Sequence, residues 1–206
     1  MRIRRTLVIL LCLLGSGFAQ EHHRSTLDSL KRLDSEERAA RMQVFRVVET
    51  LKLTAGQLVA DIGAGSGLFS RRIARQVGDK GVVFAVDIDA EALKYIDETA
   101  QQQGLSNVRT VSATEDDPKI PKAVDLIVII DTLHHVPDLP TYVKNLRRYL
   151  RPDGRICIID FTEKWPAAFE KRKYSVSDLD VWMRAAGLSR VEKHDFLENH
   201  FLAIYR

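Results

Sequence analysis

The chain has 206 residues, of which 45% are hydrophobic, a length that suits one domain with enough apolar residues for a core. It carries 31 Lys and Arg residues against 28 Asp and Glu residues, but residues 1–19 hold three of the arginines and no acid. The rest of the chain is therefore neutral, with its charges interspersed. A strongly basic surface is absent, so the composition does not indicate nonspecific binding to nucleic acid.

The amino terminus has the three-part layout of a secretory signal peptide. Three arginines within the first five residues precede an apolar run over residues 7–14, and Gly17 and Ala19 supply small residues before a cleavage site. The run is shorter than the roughly 20 apolar residues that span a bilayer. We predict a signal peptide over residues 1–19 and an exported, periplasmic or secreted chain. The alternative is an uncleaved membrane anchor through residues 7–14 with the domain in the cytosol.

A polar stretch over residues 20–33 is predicted to be a loose tether, and the folded part begins after it. Asp34 and Glu37 have the spacing of a capping box, which predicts the start of a helix. An apolar stripe follows at i, i+3, i+4 and i+7, formed by Val44, Val47, Val48 and Leu51. We expect a single domain over residues 34–206.

Strands and helices alternate through the body of this domain. The predicted apolar strands are Leu58–Ile62, Val82–Val86, Val108–Val111, Val124–Ile130 and Arg155–Asp160. Runs such as Ile127 to Ile130 are apolar at every position, which indicates strands buried on both faces and hence a parallel sheet covered by helices. This alternation predicts a doubly wound α/β fold.

The carboxyl-terminal part departs from this rhythm. A helix over residues 177–186 is followed by two strands, Ser189–Phe196 and Phe201–Tyr205, with a short link between them. Such a link fits a hairpin, so the last strand should be antiparallel to its neighbours. Cys157 lies in an apolar strand pattern and is predicted to be a small buried core residue.

A glycine-rich loop follows the first strand, with Gly63, Gly65 and Gly67 directly after the acid Asp61. Glycine lets a backbone turn sharply and lets a ligand lie against it. Asp87 ends the second strand, where an acid can accept hydrogen bonds from both ribose hydroxyls. The pattern therefore indicates a site for a cofactor that contains adenosine. The third glycine stands one position too early for a dinucleotide loop, and this disfavours an NAD-dependent oxidoreductase.

These residues carry a family resemblance. The run from Val59 to Gly67 resembles the first motif of class I S-adenosylmethionine-dependent methyltransferases, and residues 85–89 resemble their second-strand acid motif. Residues 131–136 are similar to the segment after strand four in the small-molecule branch, and residues 150–155 to the turn before strand five. The resemblance implies a seven-stranded, mostly parallel sheet in the order 3-2-1-4-5-7-6. It also implies S-adenosyl-L-methionine as cofactor and methyl transfer to a small-molecule acceptor.

The resemblance also implies roles for individual residues. Gly63 and Gly65 would present backbone to the methionine part of the cofactor, and Ala64 and Gly67 would complete the cofactor-binding loop. Asp61 would hold this loop and, through water, the ammonium group. Asp87 would accept the ribose hydroxyls, Ile88 would pack on the adenine, and Asp131 would line the methionine side. The acid that family members carry after strand three is displaced by about two residues here, so Glu115 or Asp116 would take its place.

Two histidines follow the fourth strand and are the candidate catalytic residues. His134 or His135 could act as a general base near neutral pH, while the competing interpretation is that one packs under the loop and the other is exposed. No His or Cys cluster has the spacing of a metal site. One functional alternative stays open. Because the cofactor is made in the cytosol, an exported domain could be a non-catalytic module that binds nucleosides.

Overall fold

The structure, a computed structural model, describes residues 26–162 and 165–206. The predicted signal peptide over residues 1–19 lies outside the described residues. Within the described part of the chain, no helix is long and apolar enough to cross a membrane.

Seven strands form one sheet in the order β3-β2-β1-β4-β5-β7-β6. Their bounds are β1 Leu58–Ile62, β2 Val82–Asp87, β3 Val108–Ser112, β4 Val124–Ile130, β5 Leu150–Phe161, β6 Arg190–Leu197 and β7 His200–Tyr205. Strands β1 to β5 pair in parallel, whereas β7 is antiparallel to both β5 and β6. The predicted fold class, strand order and antiparallel last strand are confirmed.

Seven α-helices flank this sheet within the described residues. They are α1 over residues 26–33, α2 Glu36–Arg41, α3 Val44–Thr50, α4 Leu68–Val77, α5 Ala90–Gln102, α6 Leu139–Leu146 and α7 Val176–Ala185. Buried residues form one apolar cluster that includes α6 and α7 and a second that includes α3 and α4. Both clusters draw on residues of β1 and β4, so the sheet is covered on both faces as its uniformly apolar strands predicted.

The described residues correct the prediction of a loose tether over residues 20–33. Residues 26–33 form helix α1, and the Leu30 side chain is buried. Leu27, Leu30 and Leu33 recur every three residues, so they place an apolar stripe on one side of a helix. That stripe offsets the polar composition of the segment and packs it against the domain.

The cap of helix α2 also differs from the sequence prediction. Ser35, not Asp34, is the N-cap, and its side chain accepts a hydrogen bond from the backbone N–H of Arg38. Serine and aspartate compete for this role because either oxygen can satisfy the free N–H groups of a first turn. The Asp34 carboxylate is thereby available for contacts with other helices.

Strand β5 begins earlier than predicted, at Leu150 instead of Arg155. Leu150 pairs with Val124, whereas Arg155 pairs with Leu126, so residues 151–154 bulge opposite Asp125. Arg151 forms an ion pair with Asp125 there, at 2.7 Å. Further along the strand Cys157 is fully buried, as predicted, and burial raises the pKa of its thiol to about 12.

The order of the strands places a crevice at one edge of the sheet. Strand β1 lies between β2 and β4. The chain adds β2 and β3 on one side of β1 and β4 and β5 on the other, so the strand order reverses at β1. Ligands of open α/β sheets bind outside the carboxyl ends of the strands at such a point. The glycine loop after β1, Asp87 at the end of β2 and Asp131 after β4 all reach this edge.

Candidate functional site

The glycine loop is held against β2 by backbone hydrogen bonds. The N–H groups of Gly63 and Ala64 both donate to the Val86 carbonyl, at 2.8 and 3.0 Å. Gly63 has a φ of 70°, and a Cβ there would lie 2.2 Å from Thr132 Cγ2. The loop therefore requires glycine both for its conformation and for close approach to the segment after β4.

Asp87 closes the other side of the loop. One carboxylate oxygen accepts a hydrogen bond from the Gly65 N–H at 2.8 Å, and the other accepts from the Asp89 N–H at 3.0 Å. A carboxylate has about four lone-pair sites, so both oxygens keep acceptor capacity for hydroxyl groups. Asp87 can thus fix the loop and bind a ribose at once.

Asp61 lies beneath the loop and is only 3% exposed. Burial raises its pKa to about 6, against the opposing effect of a 2.6 Å hydrogen bond from the Ser70 hydroxyl. A carboxyl group with a strongly raised pKa next to a cleft is typical of a functional site. Asp61 holds the start of α4 against the end of β1 through Ser70.

A cleft of about 430 Å³ opens between the ends of β1, β2 and β4. Of the residues predicted from the sequence, Gly63, Asp87, Ile88, Glu115, Asp131 and His135 line it. Asp61, Ala64, Gly65 and Gly67 are not among its lining residues and instead shape the loop. The volume lies within the range of about 300–1,000 Å³ that is usual for small-molecule sites.

Two of the predicted adenine contacts lie at the rim of this cleft. Ile88 is 60% exposed, which leaves its apolar side chain free to cover a flat ring. Glu115 is also exposed and lines the cleft. Asp116 instead accepts a hydrogen bond from the Thr114 hydroxyl at 2.7 Å, so the geometry favours Glu115 over Asp116 as the acid after β3.

Asp131 lies at the end of β4 in a left-handed conformation, with a φ of 50°. Its carboxylate contacts Arg38 Nη2 at 3.0 Å and His200 Nε2 at 2.9 Å. Burial acts to raise the pKa of Asp131, but His200 and Arg38 outweigh that effect and leave the pKa lowered. The carboxylate is therefore ionised and is held by Arg38 and His200, which come from two distant parts of the chain.

The two candidate histidines have different environments. His134 is buried, and its Nδ1 lies 2.9 Å from the Asp160 carboxylate, which also accepts a hydrogen bond from the Tyr174 hydroxyl. His135 is exposed and lines the cleft, and its pKa is lowered by partial desolvation and by the neighbouring His134 and Arg172. His134 is thus enclosed in a buried network outside the cleft, whereas His135 reaches it.

The amino-terminal helices are tied over the glycine loop. Asp34 forms an ion pair with Arg71 of α4 and accepts a hydrogen bond from the Tyr95 hydroxyl at 3.0 Å. A Cβ on Gly65 would lie 3.3 Å from the Leu33 side chain. Helix α1 and the α1–α2 turn therefore cover one side of the loop.

Several residues of the site were not found by sequence reasoning. Thr132 packs against Gly63, and Arg38 and His200 hold Asp131. Thr132 was visible as the neighbour of Asp131 in the motif after β4. No sequence pattern pointed to Arg38 or His200. Both are far from Asp131 in the chain, and only the tertiary fold brings them into contact with it.

Comparison with known proteins agrees with this geometry. The sequence pattern of a family described as a methyltransferase domain matches residues 53–198, from before β1 to the end of β6. The chain belongs to this methyltransferase family. A curated relative, the ubiquinone/menaquinone biosynthesis C-methyltransferase UbiE of Shewanella sediminis, is 30% identical over 118 residues, covering 56% of this chain and 47% of its own. The demethylmenaquinone methyltransferase of Lactobacillus johnsonii is 28% identical over 117 residues, covering 55% of this chain and 47% of its own.

Solved structures show the same fold. A structure described as a SAM-dependent methyltransferase from Aquifex aeolicus is 26% identical and has a TM-score of 0.76, covering 86% of this chain and 96% of its own. These comparisons identify S-adenosylmethionine as the cofactor of the family. The chain spans about half the length of the curated relatives it matches.

Proposed function

We propose that the chain transfers the methyl group of S-adenosylmethionine to a small-molecule acceptor. The observation that carries this proposal is the convergence of the glycine loop, Asp87 and Asp131 on one cleft of about 430 Å³. The cradle fits the cofactor because Gly63 lines the cleft and has no side chain, so only backbone faces a ligand there. The names of the curated relatives, which refer to quinone biosynthesis, support a small acceptor.

When bound, the cofactor supplies a sulfonium whose methyl group is electrophilic. The chain then has to align an acceptor with the S–CH₃ bond and exclude water, and such alignment provides much of the acceleration. Asp87 would fix the ribose, and the carboxylates of Asp61 and Asp131 would place negative charge near the cationic end of the cofactor. His135 is the histidine that the cleft could present to an acceptor.

Calorimetry with S-adenosylmethionine, S-adenosylhomocysteine and NAD tests the cofactor assignment. We expect the first two to bind with micromolar dissociation constants and NAD to show no binding. Because binding alone would also fit a non-catalytic module, a second measurement follows transfer of labelled methyl groups to a metabolite mixture. Binding of NAD alone would refute the proposal, and cofactor binding with no labelled product from any extract would favour the non-catalytic module.

Replacing Asp87 by asparagine should weaken S-adenosylhomocysteine binding by roughly 10- to 100-fold. The amide loses one acceptor oxygen and the negative charge, and a hydrogen bond to a charged group contributes about 1.5–3 kcal/mol. Calorimetry measures the loss. Asp153→Asn is the matched control, because the Asp153 side chain is 89% exposed and, among the described residues, forms an ion pair only with Arg206, at the opposite end of β5. An Asp87→Asn protein that binds as tightly as Asp153→Asn would contradict the assigned role.

We also propose that residues 1–19 export the chain, with a cytosolic domain on an uncleaved anchor as the alternative. The layout of three arginines, an apolar run and small residues supports a leader. Fusion of the full chain to two reporters, one active only outside the cytosol and one only inside, distinguishes the outcomes. Activity of the cytosolic reporter alone would refute export.

A further inference from the structure

A second cavity of about 430 Å³ adjoins the cofactor cleft, and Asp131 lines both. Its walls include Phe161 at the end of β5, His200 at the start of β7, and Trp165. Since β7 is antiparallel to β5, its first residue lies at the same edge of the sheet as the last residues of β4 and β5. The second cavity therefore opens at the same edge of the sheet as the cofactor cleft.

His200 and Asp131 form a pair at the border between the two cavities. The His200 side chain is 11% exposed, and its Nε2 lies 2.9 Å from Asp131 Oδ1. Both atoms are buried, and within the described residues neither has a well-aligned hydrogen bond. We assign the ring proton to Nε2, because an ionised carboxylate 2.9 Å away can only accept hydrogen.

The other nitrogen of this ring is then a base. No hydrogen bond within the described part of the chain engages His200 Nδ1. The ring packs on Phe161, with centroids 4.7 Å apart, which fixes its plane. An imidazole held on one side by a carboxylate and open on the other is an arrangement suited to accept a proton.

We propose that the second cavity binds the methyl acceptor, that the acceptor is a planar aromatic molecule with an acidic hydroxyl group, and that His200 takes its proton. The proposal rests on the proposed function, because Asp131 is the boundary with the cofactor cleft. Two aromatic side chains, Phe161 and Trp165, supply flat apolar surface for a ring.

The charges around the second cavity suit an acceptor that becomes an anion. Arg41 lines it and forms no ion pair within residues 26–162 and 165–206, so its guanidinium is available to a phenolate. The other charged groups near His200 are Asp131, Arg38 and Glu198. The positive charge of Arg38 balances the negative charge of Asp131. Arg41 and the protonated His200 then supply two positive charges, against the negative charges of Glu198 and of the phenolate that forms.

The reaction balances without any further reactant. The hydroxyl proton of the acceptor passes to His200 Nδ1, and the acceptor donates an electron pair to the methyl carbon. The C–S bond breaks with its pair left on sulfur, so the products are the methylated acceptor and S-adenosylhomocysteine. The imidazolium then releases its proton to solvent. A phenolate also presents its ring carbons as nucleophiles. In that case the methylated carbon afterwards loses its own proton to solvent and the oxygen takes one back from His200, so one proton is again released in total.

The test uses 2-naphthol as the probe, because its phenolate absorbs at a longer wavelength than the neutral form. The full chain is first saturated with S-adenosylhomocysteine, which calorimetry verifies. 2-Naphthol is then bound, and its absorption is followed as the pH is raised through the pKa of the free phenol. We expect the apparent pKa of bound 2-naphthol to fall by about one unit or more, since a nearby opposite charge shifts a pKa by about 1–3 units. His200→Gln, saturated with S-adenosylhomocysteine according to its own measured dissociation constant, should still bind 2-naphthol but without the downward pKa shift, so that its phenolate spectrum appears only near the ordinary pKa of the phenol. This loss of the shift reports proton transfer, not folding.

His194→Gln is the matched control, because His194 lies on β6 and contacts Glu192 away from the second cavity. It should behave as the wild type, and Trp165→Leu should weaken 2-naphthol binding roughly fivefold with the phenolate spectrum kept. A loaded wild type that does not bind 2-naphthol, or binds it with the pKa of the free phenol unchanged, would overturn the acceptor assignment. So would an unchanged spectrum in His200→Gln. Failure to bind S-adenosylhomocysteine at all would instead overturn the proposed function.

Discussion

Replacing Gly63 by alanine is expected to abolish measurable cofactor binding and to lower the free energy of unfolding by about 2–5 kcal/mol. A left-handed conformation costs a non-glycine residue about 1–2 kcal/mol, and forcing an extra carbon into a packed site costs about 1–3 kcal/mol. The new Cβ would lie 2.2 Å from Cγ2, 2.3 Å from Oγ1 and 2.7 Å from Cβ of Thr132. No rotamer of Thr132 moves its Cβ, so the backbone of the loop or of the segment after β4 has to shift.

The variant Gly104→Ala measures the cost of the left-handed conformation without the cost of a steric clash. Gly104 has a φ of 67°, close to the 70° of Gly63, but a Cβ there would meet nothing within 4 Å. Urea unfolding should show a loss of only about 1–2 kcal/mol for Gly104→Ala, and calorimetry should show unchanged binding of S-adenosylhomocysteine. If Gly63→Ala were no less stable than Gly104→Ala and still bound S-adenosylhomocysteine, the tight approach of the loop to Thr132 would be wrong.

Most of the fold could be predicted from the sequence because the patterns that determine it are local. Uniformly apolar runs marked the buried strands, and the short link between the last two strands marked the hairpin that makes β7 antiparallel. The errors lie where two local signals compete. The polar composition of residues 20–33 masked a stripe of three leucines, and Asp34 and Ser35 were both suitable caps for α2, with Ser35 taking the role. In the folded chain the Asp34 carboxylate pairs with Arg71, and Ser35 caps the helix.

The candidate site was readable only in part. Asp61, Asp87 and the glycines stand at strand ends, where topology alone brings them together. Arg38 and His200 reach Asp131 across 93 and 69 residues of chain, and no spacing rule connects such positions. His134 and His135 are adjacent in sequence yet have opposite environments, because a 3₁₀ turn over Leu133–His135 directs one ring toward Asp160 and the other toward the cleft.

Asp61→Asn is expected to be more stable than the wild type above about pH 6, by as much as about 3 kcal/mol. The pKa of Asp61 is raised from 3.8 to about 6 by burial. The folded state therefore binds a proton more tightly than the unfolded state, so the stabilisation that this group provides is complete below about pH 4 and is lost as the pH rises through about 6. Each pKa unit corresponds to about 1.4 kcal/mol. Asparagine keeps an acceptor for the Ser70 hydroxyl and has no charge to bury.

The measurement is the difference in unfolding free energy between wild type and Asp61→Asn, followed from pH 4 to pH 8. This difference should be near zero at pH 4 and should increase towards pH 8, where the variant is the more stable protein. Ser70→Ala is the control, because removing the hydrogen bond that opposes desolvation should move the wild-type transition to higher pH. A difference that does not change with pH would show that Asp61 has an ordinary pKa.

Asp61→Asn should weaken the binding of S-adenosylmethionine, although it stabilises the fold at neutral pH. An ionised Asp61 attracts the positively charged end of S-adenosylmethionine, so Asp61→Asn should bind it roughly tenfold or more weakly at pH 8. Wild-type affinity should also fall as the pH drops below about 6, where Asp61 takes up its proton, while the affinity of the variant should stay flat. A buried carboxylate that lowers the stability of the free protein at neutral pH is retained when it is needed to bind a ligand. If Asp61→Asn gained stability and kept full affinity for S-adenosylmethionine, Asp61 would have no part in cofactor binding.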